Sequence, residues 1–271
     1  MNRKHILDAF AAYTKKYDAT DGKIKLKIDH TYRVAGFCER IAKSIGLCEA
    51  DVDLAWTIGM LHDIGRFEQV KRYNTFIDSQ SVDHAQFGAD LLFKEGLLAA
   101  FIPEADEASA KNHSPEQKEN LHLLELAIRE HSNYRIREGL SRRETMFCNI
   151  IRDADKIDIL RVNVETPKEV IYNVTTEKLQ SAKVADAVMQ SFFEEHCILR
   201  SIRESAVDNV VGHISLVYEL VYPISLKMVA EQGYLEQLMD FDTKNEVTKE
   251  QFQKIREKMH RYLNQYEYSI T

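Results

Sequence analysis

Helical periodicity constrains this chain more than any other feature. Apolar residues recur three and four apart along most of it: Val34, Phe37, Ile41 and Ile45 in one segment, Leu121, Leu124 and Ile128 in another, and Phe147, Ile150, Ile151, Ala154 and Ile157 in a third. Residues so spaced lie on one side of a 3.6-residue helix and need a partner surface to cover them. Four prolines and ten glycines, thinly spread, favour helices over the many turns that a sheet protein needs. With 271 residues, 44% of them apolar, the helices can close around a full core. The expected fold class is all-α.

Charge and composition then exclude several partners. A formal net charge of −7 argues against general nucleic-acid binding, which needs a basic surface to neutralise phosphates. It does not conflict with a small phosphorylated substrate, because a few cations in one pocket overcome a weak global field. No run of eighteen apolar residues occurs, so no membrane span is expected. The N-terminal MNRKHILDAFAAYTKKYDA is charged and amphipathic, without the apolar centre of a signal peptide. Cys38, Cys48, Cys148 and Cys197 form no C-x-x-C pair and read as reduced core thiols. Together these features point to a cytoplasmic protein.

Several segments between the clear helices read differently. RFEQVKRYNTFIDSQSVD is polar and irregular, a long loop, with a helix expected after it and Ser81 placed as its cap. IPEADEASAKNHSPEQKEN reads as a polar linker, and ETPKEVIYNVTTEKLQSAKVAD, rich in β-branched residues, as a short hairpin or irregular excursion. From Asp186 the pattern is helical. The stripes Val210, Ile214, Val217, Val221 and Phe252, Ile255, Met259, Tyr262, Tyr266 fit either core packing or a homodimer face.

The stretch MLHDIGR carries the chemistry. His62 and Asp63 stand side by side inside an apolar run, where two ionisable groups are costly unless something pairs with them. Neighbours on a helix lie about 100° apart, so both side chains can reach a metal at the helix surface. His30, His84 and His131 also fall on or at the edge of apolar faces, and Asp155 lies one turn after Ile151 on a face due for burial. An unpaired buried carboxylate would take up a proton, so a nearby cation is its economical partner. Any one buried histidine is more often a hydrogen-bonded core residue than a ligand. The case rests on the ordered set. Asp153 and Asp158 read as solvated, His113 as part of the polar loop, and the remaining histidines as surface or packing residues. Arg66 could simply sit at the C-terminal end of its helix, where a cation is favourable.

The order His30, His62–Asp63, His84, His131, Asp155 resembles the HD superfamily of metal-dependent phosphohydrolases, named for the His-Asp pair. The likeness runs over about residues 25–165, with IGMLHDIGR and DHAQFGADLL similar to the family's second and third helical motifs. It implies an HD-domain helical bundle over 1–165 and additional C-terminal helices over 166–271 that pack on it. His30, His62, Asp63 and Asp155 then correspond to the ligands of the first metal, and His84 and His131 to those of a second, with Asp63 shared. Six such ligands imply two divalent ions, and imidazole with carboxylate suits Mn, Fe, Co, Ni or Zn. Many two-metal members read HDIGK; here Arg66 replaces the lysine and can still bind phosphate. Lys156 falls where relatives carry a basic residue and is a second candidate for phosphate contact. The paired histidine and GYP signature of cyclic dinucleotide phosphodiesterases are missing, since Ser132–Asn133–Tyr134 follows His131. The resemblance implies hydrolysis of a phosphomonoester or phosphodiester of a nucleotide or similar small molecule, with Asp63, Arg66 and Lys156 as catalytic groups. The alternatives are a di-iron oxygenase of the same fold, acting on a small polyol or phosphonate, and a non-catalytic ligand-binding module. Residues 166–271 carry no readable motif.

Overall fold

The computed structural model describes residues 1–106, 113–172 and 174–267, and among these every regular element is helical. The chain divides into two units, Met1–Asp155 and Lys156–Thr271. The first contains α1 (Arg3–Thr14), α2 (Gly22–Ser44), α3 (Glu49–Leu61), α4 (Ile64–Tyr73), α5 (His84–Phe93), α6 (Leu98–Phe101), α7 (Pro115–Glu130) and the first part of α8 (Arg142–Glu165). The second contains the rest of α8, then α9 (Lys168–Tyr172), α10 (Thr176–Ser181), α11 (Asp186–Phe193), α12 (Ala206–Ile214), α13 (Pro223–Gln232), α14 (Tyr234–Met239) and α15 (Glu246–Glu267). Among the described residues no helix is long and apolar enough to cross a membrane.

Two close helix crossings organise the first unit. A Cβ on Gly59 would lie 2.6 Å from the Ala35 Cα, so α3 approaches α2 as only a glycine allows. A Cβ on Gly65 would lie 2.6 Å from the His84 carbonyl oxygen and 2.7 Å from the Gly88 nitrogen, so α4 lies directly on the start of α5. The first crossing brings the His30 helix to the His62 helix. The second brings the glycine of MLHDIGR against His84 itself. Arg129 adds a polar tie between α7 and α5, donating to Asp90 at 2.8 Å and to the Gln86 side chain at 3.0 Å.

The segment expected as a long loop is in part a helix. Its polar sequence hides a short apolar stripe, Phe67 and Val70, both buried. Phe67 meets Phe10, Tyr13 and Tyr17 of the N-terminal region edge-on or tilted, with ring centroids 5.9, 5.8 and 5.5 Å away. These partners lie far away in sequence, so local periodicity could not reveal them. α4 ends at Asn74, whose left-handed φ of 53° suits a short polar side chain. A loop over residues 74–83 follows. α5 then begins at His84, capped by Asp83 rather than Ser81. The Asp83 carboxylate accepts from the Ala85 and Gln86 amides at 3.0 Å each, satisfying two otherwise orphaned donors.

Further differences have similar causes. α7 starts inside the polar segment expected as a linker, because Ser114 and Gln117 form a capping box with Pro115 in the first turn. Residues 107–112 of that segment lie outside the described residues. α9 and α10 occupy the stretch read as a hairpin or irregular excursion, with Thr175 capping α10 through the Lys178 amide at 3.2 Å; residue 173 lies outside the described residues. Asp153 and Asp158, expected on a solvated face, are buried, as are Arg152, Ala154 and Ile157. α8 is enclosed round most of its circumference, so alternating charge does not mark a wet face there. In the second unit Val210, Ile214, Val217, Phe252, Ile255, Met259 and Tyr262 are core residues, whereas Val221 and Tyr266 are exposed. Cys38 and Cys148 are buried, but Cys48 is exposed at the start of α3.

Candidate metal centre

The cluster is built where α3 stops and α4 starts. His62 keeps helical dihedrals at the end of α3, but Asp63 turns to φ −105° and ψ 17°, at the N-cap of α4. An aspartate there ordinarily bonds the first amides of the helix. Asp63 makes no such bond. Its carboxylate points inward instead, 2% exposed, among four histidines.

Its two oxygens face different pairs. Oδ2 lies 3.5 Å from the Nε2 atoms of both His30 and His62. Oδ1 lies 3.6 Å from His84 Nε2 and 3.9 Å from His131 Nε2. Asp155, from α8, joins the first pair with Oδ1 3.1 Å from His30 Nε2 and 4.0 Å from His62 Nε2. All six residues singled out in the sequence as ligand candidates thus come together. Asp63 with His30 and His62, and Asp63 with His84 and His131, are both groupings tight enough to hold an ion.

The histidine tautomers sharpen this. His62 Nδ1 lies 2.7 Å from the Gly59 carbonyl oxygen, and His131 Nδ1 lies 2.7 Å from that of Ile128. Carbonyl oxygens only accept, so both Nδ1 atoms carry the proton and both Nε2 atoms present lone pairs. His84 Nδ1 lies 2.6 Å from Asp78 Oδ2, with the same consequence. Yet His62 and His30 approach through Nε2 at 3.3 Å, and His84 and His131 through Nε2 at 3.1 Å. The Nε2 lone pairs of His84 and His131 face each other and the Asp63 carboxylate. Asp63 Oδ1 is fully buried with no hydrogen-bond partner among the described residues. Divalent metal is the chemistry these donors fit.

The electrostatics agree. Burial pushes the His131 ring down to about 3; burial and the Arg66 charge lower His84 as well. Both rings are therefore neutral near pH 7 and free of a competing proton. Burial alone would raise Asp63, but the Lys27 ammonium and the Arg66 guanidinium hold it well below the usual carboxylate range. Burial likewise opposes ionisation of Asp155, and its hydrogen bond to His30 overcomes it, holding the carboxyl below the usual range.

Three contributing residues escaped the sequence reading. Lys27, one turn before His30, places its Nζ 2.5 Å from Asp63 Oδ2. Asp78, in the loop before α5, accepts from both His84 and Arg66. Arg152 is buried on α8 and closes the C-terminal end of α7, donating to the carbonyls of Glu130 at 3.1 Å, His131 at 3.3 Å, Asn133, and Tyr134 at 3.1 Å. The only signal for Lys27 was its position one turn from a candidate ligand, and for Asp78 a carboxylate six residues before another. Arg152 replaces the solvent that those terminal carbonyls would otherwise need. Arg152→Met should cost on the order of 2–3 kcal/mol by orphaning them, measured by urea unfolding, and should loosen His131.

Arg66 does not sit at the C-terminal end of a helix. It lies in the first turn of α4, with Nε 3.6 Å from Asp63 Oδ1 and Nη1 2.8 Å from each of Gln69 Oε1, the Phe76 carbonyl and Asp78 Oδ1. Lys156 is a buried residue of α8 in the second unit. His113 contacts the Glu104 carbonyl oxygen at 2.5 Å.

Four histidines and two carboxylates on facing helices, sharing one aspartate, define a helical metal-binding domain. Residues 28–160 match the family model of the HD domain, and the chain carries an HD domain over that range. Such domains bind divalent metals and are generally metal-dependent phosphohydrolases. No curated protein and no solved structure matches the chain significantly.

Proposed function

We propose that this protein is a metal-dependent phosphohydrolase with two divalent ions, acting on a phosphomonoester or phosphodiester of a nucleotide or similar small molecule. The observation that carries the reading is the divided environment of Asp63, whose two oxygens face separate histidine pairs and whose Oδ1 lacks a hydrogen bond. His30, His62, Asp63 and Asp155 would hold one ion, and Asp63, His84 and His131 the other. When bound, the ions supply Lewis-acid activation of the attacking water and neutralise charge growing on the phosphoryl oxygens.

The chain's own cations do the rest. Lys27 and Arg66, 15% and 12% exposed, flank Asp63 and both lie 5.6 Å from the Phe76 ring centroid. They put two positive charges beside one carboxylate, where a substrate phosphate would be oriented. Lys156, next to Asp155 in sequence, is a further phosphate contact on sequence position alone. Replacing Lys27 or Arg66 by Ala should raise KM for a phosphate ester about 10- to 100-fold, measured in steady-state kinetics, because each change removes a charge-assisted hydrogen bond.

The assignment is tested by assaying the Mn²⁺- or Fe²⁺-loaded protein against a panel of phosphate esters. Phosphate release that disappears in Asp63→Ala supports it. Oxygen consumption with tightly bound iron, a mixed-valence EPR signal and no phosphate release would contradict it.

A further inference from the structure

The four histidines are not held in the same way. His62 and His131 each stand at the end of a helix and give Nδ1–H to a carbonyl of their own last turn, Gly59 and Ile128, both at 2.7 Å. His84 is the first residue of α5, so no preceding helical turn can supply such a carbonyl. A loop carboxylate takes that place: Asp78 Oδ2 accepts from His84 Nδ1 at 2.6 Å. The other oxygen, Oδ1, accepts from Arg66 Nη1 at 2.8 Å and from Gln69 Nε2 at 3.0 Å. Gln69 is completely buried and also donates to Ser81 Oγ at 2.8 Å and the Val82 carbonyl at 3.1 Å, which fixes the loop on α4.

We propose that Asp78 is a positioning residue that couples loading of the second ion at His84 to the placement of Arg66. The proposal rests on the two-ion reading above. A carboxylate behind a ligating imidazole fixes its tautomer and orientation and makes it a stronger donor than a carbonyl partner does. Because one carboxylate serves both His84 and Arg66, a change at Asp78 disturbs metal affinity and phosphate orientation together. In Asp78→Asn, whichever way the amide points, its NH₂ replaces an acceptor facing either the His84 N–H or the Arg66 and Gln69 N–H donors.

The test is Mn²⁺ titration of the full chain, followed by EPR of free Mn²⁺ and by metal analysis, which needs no turnover. Wild type should bind two ions. Asp78→Asn should keep the tighter ion and bind the other about 10- to 100-fold more weakly. Asp78→Ser serves as a second variant should Asp78→Asn fold poorly, and circular dichroism reports folding for both. In phosphate-ester assays Asp78→Asn should raise KM as well as lower kcat, whereas His84→Ala, which leaves the Arg66–Asp78 bond in place, should mainly lower kcat. Two ions bound by both folded Asp78 variants with wild-type affinity overturn the role of Asp78 and leave the two-ion reading standing. Fewer than two ions on the wild type overturn that reading, and the proposal with it, before any variant is compared.

Discussion

Asp63→Ala should remove both proposed metal sites at once and lower kcat/KM for a phosphate ester by roughly 10³-fold or more, because the loss of several kcal/mol of metal-ion catalysis corresponds to at least three decades in rate. The Asp63 carboxylate faces both histidine pairs. His30 and His62 approach Asp63 Oδ2 at 3.5 Å, and His84 and His131 approach Oδ1 at 3.6 and 3.9 Å. A thermodynamic readout accompanies the kinetic one. Saturating Mn²⁺ at about 100 times its Kd should stabilise the wild type by about 2.7 kcal/mol per ion, seen as a rise in Tm. Asp63→Ala should show no such rise. A variant that retains both the metal-dependent shift and the activity would contradict the account.

Gly65→Ala is the second large effect, and its sign separates two opposing terms. Helix propensity alone favours alanine over glycine within a helix by about 1 kcal/mol. Against it, the new Cβ would lie 2.6 to 2.8 Å from three backbone atoms, the His84 oxygen and the Gly88 nitrogen and Cα. No rotamer change relieves contact with backbone, so α4 and α5 must move apart. The steric term wins: net destabilisation of about 1–3 kcal/mol, typical of overpacking, is expected in urea unfolding. Because the His84 backbone is one of the contacts, metal content should fall as well. Gly88→Ala provides the control. Its Cβ would meet Gly65 no closer than 3.0 Å, so the loss should be smaller. Stabilisation by Gly65→Ala would show that propensity outweighs the crossing.

The sequence disclosed most where chemistry conflicts with burial. His30, His62, Asp63, His84, His131 and Asp155 stand out because ionisable groups on apolar helix faces need a partner, and the structure gathers all six. The glycine of MLHDIGR was visible only as punctuation. Its cause is spatial, the close crossing of α4 and α5. Lys27, Asp78 and Arg152 were not legible, because each acts through a fold-specific contact: an ammonium on Asp63, a loop carboxylate behind His84, a guanidinium across the end of α7. α4 was hidden by the same limitation, since its apolar stripe is short and its aromatic partners come from the N-terminal region. Asp153 and Asp158 show the reverse error, in which charge in the sequence suggested solvent and the fold buried both residues.

The central claim is that Asp63 is shared between two ions, one held with His30, His62 and Asp155 and the other with His84 and His131. Anomalous diffraction from crystals of the Mn²⁺-loaded protein tests it most directly. The account predicts two separate anomalous peaks flanking the Asp63 carboxylate, one bonded to Oδ2 and the other to Oδ1. A single peak, or two peaks that Asp63 does not connect, would contradict it.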